Sequence, residues 1–390
     1  MKSLFSVVGI AACGAALATL VSCGGGSGSN NTSSTTPSAS SFTATALVSD
    51  GAVSAPHTDP NLKNPWGVAF NPKGFAWVAD NATNLATLYD GNGVPQSLVV
   101  TIPAGTNGAA APTGIVFNGT QSFTVTQNGK SGVAAFIFSG EGGTIAAWAP
   151  AVAPTNAFTM HDDGTGGAVY KGLALASNNG SNFLYATDFH NSKIDVFDTT
   201  FTKVAMPGGF RDPAIPAGFA PFGIQLIGSN LFVTYAMQDA ARHDNVAGAG
   251  LGMVDVFDTA GNLKQHFATG APLNAPWGVA QAPANFGALG GAILIGNFGD
   301  GTINAFDASS GKSMGPVTGS NGSAIVQNGL WGIAFGNNLS NQPSNTLFFA
   351  AGPNDEADGV YGRIDLNPAS TTTSGSNTGS SSGGGSSIGM

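Results

Sequence analysis

Short apolar runs rich in β-branched and aromatic residues alternate with turn residues along most of the chain, from about residue 42 to residue 368. Typical runs are 75–80 (FAWVAD) and 231–235 (LFVTY), each followed within a few positions by Asp, Asn or Gly. Runs of five or six residues with this composition predict β-strands, and the clusters between them predict tight turns. The pattern therefore predicts a chain built almost entirely from short strands.

One phrase recurs six times, and in each copy a glycine precedes a short apolar strand. The glycines are Gly67, Gly114, Gly172, Gly223, Gly278 and Gly332, and they lie between 47 and 58 positions apart. A second strand follows each phrase, at 75–80, 123–127, 183–188, 231–235, 292–297 and 347–351. A third strand often ends in an aromatic residue and an aspartate, as at Asp90, Asp198, Asp258 and Asp307, which we expect to be turn residues.

Four short strands in each unit of about fifty residues are typical of a β-propeller blade. The sequence thus predicts an all-β, six-bladed propeller of four-stranded blades. The last unit has strands at 330–335, 347–351 and 360–366 and lacks a fourth. We expect the N-terminal strand 41–48 to complete that blade, because an unpaired edge would otherwise stay exposed.

Composition and charge argue against two classes of protein, helical bundles and nucleic-acid-binding proteins with a basic stripe. Of the 390 residues, 58 are Gly and 21 are Pro, which argues against a helical bundle. Only two glutamates occur, Glu141 and Glu356. The formal net charge of −9 excludes a nucleic-acid reader that depends on a basic stripe.

The two ends of the chain differ in composition from the repeats. Residues 1–22 have the charged start and apolar run of a signal peptide, and 20–23 (LVSC) resembles a bacterial lipobox. The resemblance implies lipidation of Cys23, so the expected partner is a membrane and the expected location is the bacterial cell envelope. A transmembrane anchor, or an ordinary signal with a chance cysteine, is the alternative. Residues 23–40 are a Gly/Ser-rich linker, 41–368 the propeller and 369–390 a disordered tail.

The repeats resemble NHL-type propellers and, more closely, an uncharacterised family of secreted bacterial NHL-like propellers. The matching segments are the Pro-Trp-Gly phrases, 171–177 (KGLALAS), 238–245 (QDAARHDN), 252–258 (GMVDVFD) and 350–359 (AAGPNDEADG). They are distributed over most of 42–368. The resemblance implies a propeller fold and export, and it implies no activity.

Side chains at two repeated positions are candidates for a binding site. The start of each first strand and the end of each second strand should meet at one mouth of the channel, where polar groups beside aromatic rings are typical of ligand sites. The predicted ligand-binding residues are Trp66, Asp80, Lys171, Asp188, Tyr235, Trp277, Asn297 and Trp331. Thr113, Gln127, Phe222 and Ala351 complete the two sets. The alternative is structural, with the tryptophans plugging the channel and the aspartates capping turns.

Two acidic loops, 236–252 and 352–359, should lie on the same face. Asn354, Glu356 and Asp358, with Asp365, approach the spacing of a calcium loop. Another possible cation site combines Asp239, His243 and Asp244. The cofactor expectation is therefore Ca²⁺ or another divalent cation, and the alternative is a pair of solvated acidic loops.

Three functions are compatible with these features. The first is a binding module that takes a small-molecule or protein ligand at the channel mouth, favoured because no G-x-S-x-G nucleophile or phosphate loop is present. The second is a metal-dependent enzyme, as among lactonase- or lyase-like six-bladed propellers, with a divalent cation held by Asp80, Asp188 and Asn297. The third is an envelope scaffold with a plugged mouth.

Overall fold

The computed structural model describes residues 40–368, and the predicted signal peptide, Cys23, residues 23–39 of the linker and the tail 369–390 lie outside that range. The strands in chain order are β1 (Phe42–Ser49), β2 (His57–Thr58), β3 (Pro65–Phe70), β4 (Ala76–Asp80), β5 (Leu85–Tyr89), β6 (Val100–Thr101), β7 (Pro112–Phe117), β8 (Thr124–Gln127), β9 (Lys130–Val133), β10 (Phe136–Gly140), β11 (Thr144–Trp148), β12 (Phe158–Asp162), β13 (Tyr170–Asn178), β14 (Ser181–Asp188), β15 (Lys193–Phe197), β16 (Lys203–Val204), β17 (Phe219–Ile227), β18 (Asn230–Gln238), β19 (Asn245–Val246), β20 (Met253–Asp258), β21 (Leu263–Thr269), β22 (Pro276–Gln281), β23 (Ile293–Asn297), β24 (Ile303–Phe306), β25 (Ser313–Pro316), β26 (Leu330–Phe335), β27 (Leu347–Ala351) and β28 (Val360–Leu366). Three single-turn 3₁₀ helices, Asn81–Thr83, Gly164–Gly166 and Gly287–Leu289, interrupt them. Between residues 40 and 368 there is no helix with the length and apolar character needed to cross a membrane.

The strands form six antiparallel blades around an axis, which confirms the predicted propeller of four-stranded blades. From the axis outward, the blades are β3–β4–β5–β6, β7–β10–β11–β12, β13–β14–β15–β16, β17–β18–β20–β21, β22–β23–β24–β25 and β26–β27–β28–β1. The first strand of each blade contacts the first strand of the next, and β26 contacts β3. The ring of first strands is therefore continuous.

The last blade contains both ends of the described chain. Strand β1 pairs antiparallel with β28, from Phe42 opposite Leu366 to Ser49 opposite Val360. The fourth strand of this blade thus comes from the N-terminal side, and the three others come from the C-terminal side.

The second blade differs from the sequence prediction. Its second strand is β10, which pairs with β7, while β8 pairs with β9 in a separate hairpin. The prediction of 123–127 as the second strand was wrong, because three of the four residues of β8 are exposed whereas every residue of β10 is buried. The residue opposite Pro112 is accordingly Gly140 and not Gln127.

The aspartates that end the third strands are turn residues, as predicted. Each accepts a backbone N–H from two residues further along, at Asn92, Thr200, Ala260 and Ser309, over 2.8–3.2 Å. These bonds fix the turn between third and fourth strands in four blades.

Every first strand has a β-bulge at the repeated glycine. In blade 1 the register runs from Pro65 opposite Asp80 directly to Val68 opposite Val78, so one extra residue is accommodated at Trp66–Gly67. The same shift occurs in the five other blades. Because a bulge re-aims the neighbouring side chain, it turns the residue before the glycine toward the axis.

The six glycines form a collar in which neighbouring first strands touch through their backbones. A Cβ placed on any of Gly67, Gly114, Gly172, Gly223, Gly278 and Gly332 would lie 3.0 Å or less from an atom of the next blade. At Gly223 and Gly278 that atom is a backbone oxygen, of Trp277 and Trp331 respectively. No residue with a side chain fits at these positions without moving a blade.

We expect Gly223→Ala to destabilise the fold by about 1–3 kcal/mol or more, since the added methyl group overpacks against the backbone of Trp277. Urea unfolding followed by circular dichroism measures this change in the free energy of unfolding. Gly119→Ala is the matched control, because its Cβ would meet only the Phe117 ring, at 3.5 Å. Equal stability of the two variants would contradict the close approach of Gly223 to the backbone of Trp277.

Candidate functional site

Aromatic side chains close one end of the channel. The Trp66 and Trp331 rings stack with centroids 3.3 Å apart, and Trp277 meets both edge-on at 5.7 and 5.9 Å. Phe222 packs edge-on against Trp66 and Trp331. None of these four rings is more than 8% exposed. The tryptophans therefore form a plug, and the expectation that they line an open mouth is corrected.

The residues that end the second strands lie at the level of the plug. Asp80, Asp188, Tyr235 and Asn297 each pair with the residue two positions before the repeated glycine of their own first strand. All four side chains are buried.

Two of these residues hold turns within their own blades. Asp188 accepts the backbone N–H of Val169 at 3.2 Å and the side-chain amide of Asn191 at 2.8 Å. Asn297 donates to the carbonyl of Pro272 at 2.8 Å. This is the turn-capping alternative, and it leaves Asp188 and Asn297 directed at their own loops.

Asp80 is different, because it is fully buried and neither carboxylate oxygen has a hydrogen-bond partner within residues 40–368. Burial raises its pKa well above the usual range, which favours the protonated form. Of the potential metal ligands in the described part of the chain, only two groups of three come together, and neither includes Asp80 or Asp188. In the set expected to hold an axial cation, Asp188 and Asn297 are already engaged by their own loops.

A cluster of charged and polar side chains lies beside the plug. We call Asn64, Asn81, Glu141, Lys171, His243, Asp244 and Glu356 the polar cap. It contains both glutamates of the chain and draws on blades 1, 2, 3, 4 and 6.

Lys171 is the centre of the polar cap. Its side chain is 1% exposed, and its Nζ pairs with Glu141 Oε1 and lies 3.3 Å from Asp244 Oδ1. The same Nζ lies 5.1 Å from the centroid of the Trp66 ring. Two carboxylates and the face of an indole thus stabilise an ammonium that burial alone would disfavour.

Glu141 links Lys171 to blade 1. Its Oε2 accepts the amide of Asn81 at 2.8 Å, and Asn81 Oδ1 accepts from Asn64 at 3.3 Å. Sequence analysis missed Glu141 because the second strand of blade 2 was misplaced. Two features of the sequence could have indicated Glu141: it is one of only two glutamates, and it stands in a Gly-Glu-Gly-Gly turn.

Glu356 reaches the cap from an unusual turn. Asn354, Asp355 and Glu356 have φ values of 56°, 52° and 66°, so three consecutive residues are left-handed, a conformation that costs energy outside glycine. The turn directs Glu356 Oε2 to the amide of Asn64 at 2.6 Å. Burial raises the pKa of Glu356 above its usual value.

The predicted calcium loop is not formed. The Asn354 amide donates to Asp358 at 2.5 Å, Glu356 accepts from Asn64, and Arg363 binds Asp365 through two nitrogens. These groups are bound to different partners, so the structure gives no support to the predicted metal ligands at Asn354, Glu356 and Asp358.

His243 and Asp244 are the accessible part of the polar cap, with side chains 47% and 66% exposed. His243 Nδ1 lies 3.0 Å from Asp244 Oδ1. This bond raises the pKa of His243 and contributes most to lowering the pKa of Asp244 to about 2. Asp239 accepts the backbone N–H of His243 at 2.9 Å, so it caps this loop and does not point into the cap.

Glu141, His243 and Asp244 offer three ligand atoms within 4.8 Å of one another. The Lys171 ammonium already pairs with Glu141 and contacts Asp244, so a divalent cation coordinated by both carboxylates would have to displace this lysine. The arrangement is better described as an ion-pair network.

The channel opens on the opposite face. A cavity of about 560 Å³ lies between the last residues of the six first strands. Its lining is mainly apolar and includes Val68, Phe70, Phe117, Leu175, Ile227 and Phe335, with Gln225 and Gln281 as polar members. Sequence analysis did not predict this cavity, because it placed the open mouth at the other end of the strands.

The chain is similar in sequence to two proteins of a mimivirus. No family model matches the chain. Uncharacterized protein R648 of Acanthamoeba polyphaga mimivirus is 34% identical over 327 residues, covering 82% of this chain and 78% of that protein. Uncharacterized protein L690 of the same virus is 32% identical over 329 residues, covering 82% and 84%.

The chain belongs to the family of these mimivirus proteins. Among solved structures, a glucose dehydrogenase superposes with a TM-score of 0.50 at 12% identity, over 84% of this chain and all of that one. A streptogramin B lyase superposes with a TM-score of 0.48 at 15% identity, over 84% and 98%. At these identities the likeness concerns the propeller fold.

We expect Lys171→Met to lower the free energy of unfolding by about 3–5 kcal/mol, because the Glu141 carboxylate then loses its buried partner. The double variant Lys171→Met/Glu141→Gln should recover part of the loss. Lys312→Met, at an exposed position, is the control. Urea unfolding tests this, and a loss as small as that of Lys312→Met would contradict the role of Lys171.

Proposed function

We propose that the protein is an exported binding module and that it binds a small ligand carrying a protonated amine at the polar cap. The observation that supports this proposal most is the charge balance of the cap. Two carboxylates, on Glu141 and Asp244, contact the single buried ammonium of Lys171, and a third, on Glu356, joins the cap through Asn64. Such a site has a negative potential that attracts cations.

The exposed part of the cap suits contact with a ligand. Asp244 and His243 are half-exposed or more, whereas Lys171 and Trp66 beneath them are buried. The buried members fix the positions of the exposed ones before a ligand arrives, which lowers the entropic cost of binding. A ligand amine would be held chiefly by Asp244, with the partly buried Glu356 adding to the negative potential.

The plug confines the ligand to this face. Since Trp66, Trp277 and Trp331 fill the axis, the cap does not connect to the cavity on the opposite face through an open channel. The mouth assigned to ligand binding from the sequence is therefore replaced by a shallow site above the plug. Lys171 keeps a role there as a positioning residue.

The proposal is tested by calorimetric titration of the protein with spermidine and with the anion succinate. We expect spermidine to bind and succinate not to bind, and Asp244→Asn to weaken spermidine binding at least tenfold. Asp355→Asn is the matched control, because it removes one carboxylate from an exposed position on loop 352–359. Equal binding of both ligands, or equal loss in both variants, would contradict an amine site at the cap.

A second candidate function is an enzyme that uses His243 as a general acid. Its support is the imidazole itself, which is 47% exposed and whose pKa is raised by Asp244. A raised pKa extends the pH range in which an imidazole is protonated and can donate a proton to a bound substrate. This candidate uses the polar cap and does not require the axial cation expected on Asp80, Asp188 and Asn297.

We also propose export and lipid anchoring through Cys23, supported by the apolar leader and the LVSC sequence at 20–23. When the full chain is produced in a bacterium, mass spectrometry should find the mature N-terminus at Cys23 with attached acyl chains. Cys23→Ser should give a protein without the lipid mass that no longer sediments with membranes. An unmodified Cys23 in the wild-type protein would contradict the anchor.

A further inference from the structure

A second cluster of potential ligands lies in blade 4, outside the polar cap. Asp255 is on β20, His266 is its register partner on β21, and Asp212 belongs to the connection 205–218 between blades 3 and 4. His266 Nδ1 lies 3.1 Å from Asp212 Oδ2 and 3.3 Å from Asp255 Oδ1. The two carboxylate side chains are 2% and 3% exposed, and the imidazole is 55% exposed.

The carboxylate of Asp255 is incompletely satisfied. Its Oδ2 is buried and has no hydrogen-bond partner within residues 40–368. The Oδ2 of Asp212 contacts the imidazole and lies close to the Asp255 carboxylate, so one exposed imidazole faces two buried carboxylates. Burying a carboxylate without a partner costs several kcal/mol, on the order of the penalty that a hydrogen-bonded ion pair offsets. The two oxygens therefore point to a missing positive charge.

Blade 3 shows how the same position is normally satisfied. Asp195 stands in the sequence IDVFD as Asp255 stands in VDVFD. Asp195 pairs with Lys193 at 2.7 Å and Lys203 at 2.6 Å. In blade 4, Met253 occupies the place of Lys193. Blade 4 therefore has the buried aspartate and lacks the lysine that stands two positions before it in blade 3.

The geometry suits a small tetrahedral ion. One oxygen or nitrogen from each of Asp212, Asp255 and His266 lies within 4.8 Å of the others. Bonds of about 2.0–2.2 Å in a tetrahedral zinc site place neighbouring ligands about 3.4 Å apart. The observed 3.1 and 3.3 Å separations from the imidazole are close to that value.

We propose that Asp212, Asp255 and His266 bind a Zn²⁺ ion, with a fourth coordination position left for water or a ligand. The imidazole nitrogen favours zinc over Mg²⁺ and Ca²⁺, which prefer all-oxygen sites. Asp212 also lines a cavity of about 450 Å³ together with Tyr235, Phe210 and Phe219. The ion would join the connection between blades 3 and 4 to the outer strands of blade 4.

The test is calorimetric titration of the chelator-treated protein with ZnCl₂, MgCl₂ and CaCl₂ in separate experiments, with CoCl₂ as a spectroscopic probe. We expect one equivalent of Zn²⁺ to bind, no saturable binding of Mg²⁺ or Ca²⁺, and Co²⁺ absorption bands typical of tetrahedral coordination. His266→Ala should weaken zinc binding at least a hundredfold. Since His266 is exposed, this variant should keep the wild-type circular dichroism spectrum.

His243→Ala is the matched control, because it removes a histidine from the other group of three potential ligands. We expect it to bind zinc as the wild type does. Absence of zinc binding, or binding that His266→Ala leaves unchanged, would overturn the proposal. Loss of binding in His243→Ala alone would place the ion at the polar cap and would equally overturn it.

Discussion

The close approach of the six first strands at the axis is the constraint on which the rest of the structure depends. At the collar, neighbouring backbones are separated by less than a side chain requires, and glycine is the residue that fits in each blade. A bulge accompanies the glycine in every first strand and turns the preceding side chain inward. The glycine and its bulge therefore allow the ring to close and also determine which side chains face the axis.

The two ends of the channel differ because of this collar. On one side, the inward-turned residues include three tryptophans and a phenylalanine, which fill the axis and leave Lys171 as the single charged member. A buried ammonium needs carboxylate partners, and loops from blades 2 and 4 bring Glu141 and Asp244 to Lys171. On the other side the strands diverge and leave an apolar cavity. At the channel itself, the charged side chains are therefore on the side of the plug.

The fold could be predicted from the sequence because the collar requires a glycine in every first strand, and these glycines repeat visibly along the chain. The glycine phrase marks each first strand, and the register places Asp80, Asp188 and Asn297 where the repeat indicated. Blade 2 was mispredicted because the inserted hairpin β8–β9 has its own strand-like composition.

The candidate sites were harder to predict from the sequence. An indole beside a glycine is compatible with both a plug and an open mouth, and the choice depends on packing among blades distant in sequence. Glu141 and Lys171 lie on different blades, and Asp212 and His266 are 54 positions apart. Glu356 reaches the cap from a left-handed turn at Asn354–Glu356, a loop conformation that no short motif encodes.

Quenching of tryptophan fluorescence by caesium ions tests the closed axis most directly. Caesium is the appropriate quencher because the acidic polar cap attracts cations, so an exposed ring there would be found readily. All five tryptophans are at most 8% exposed, and three of them form the plug. The folded protein should therefore show almost no quenching and the urea-unfolded protein full quenching. A folded protein in which about three-fifths of the emission is quenched would show that the axis is open and that the plug does not exist.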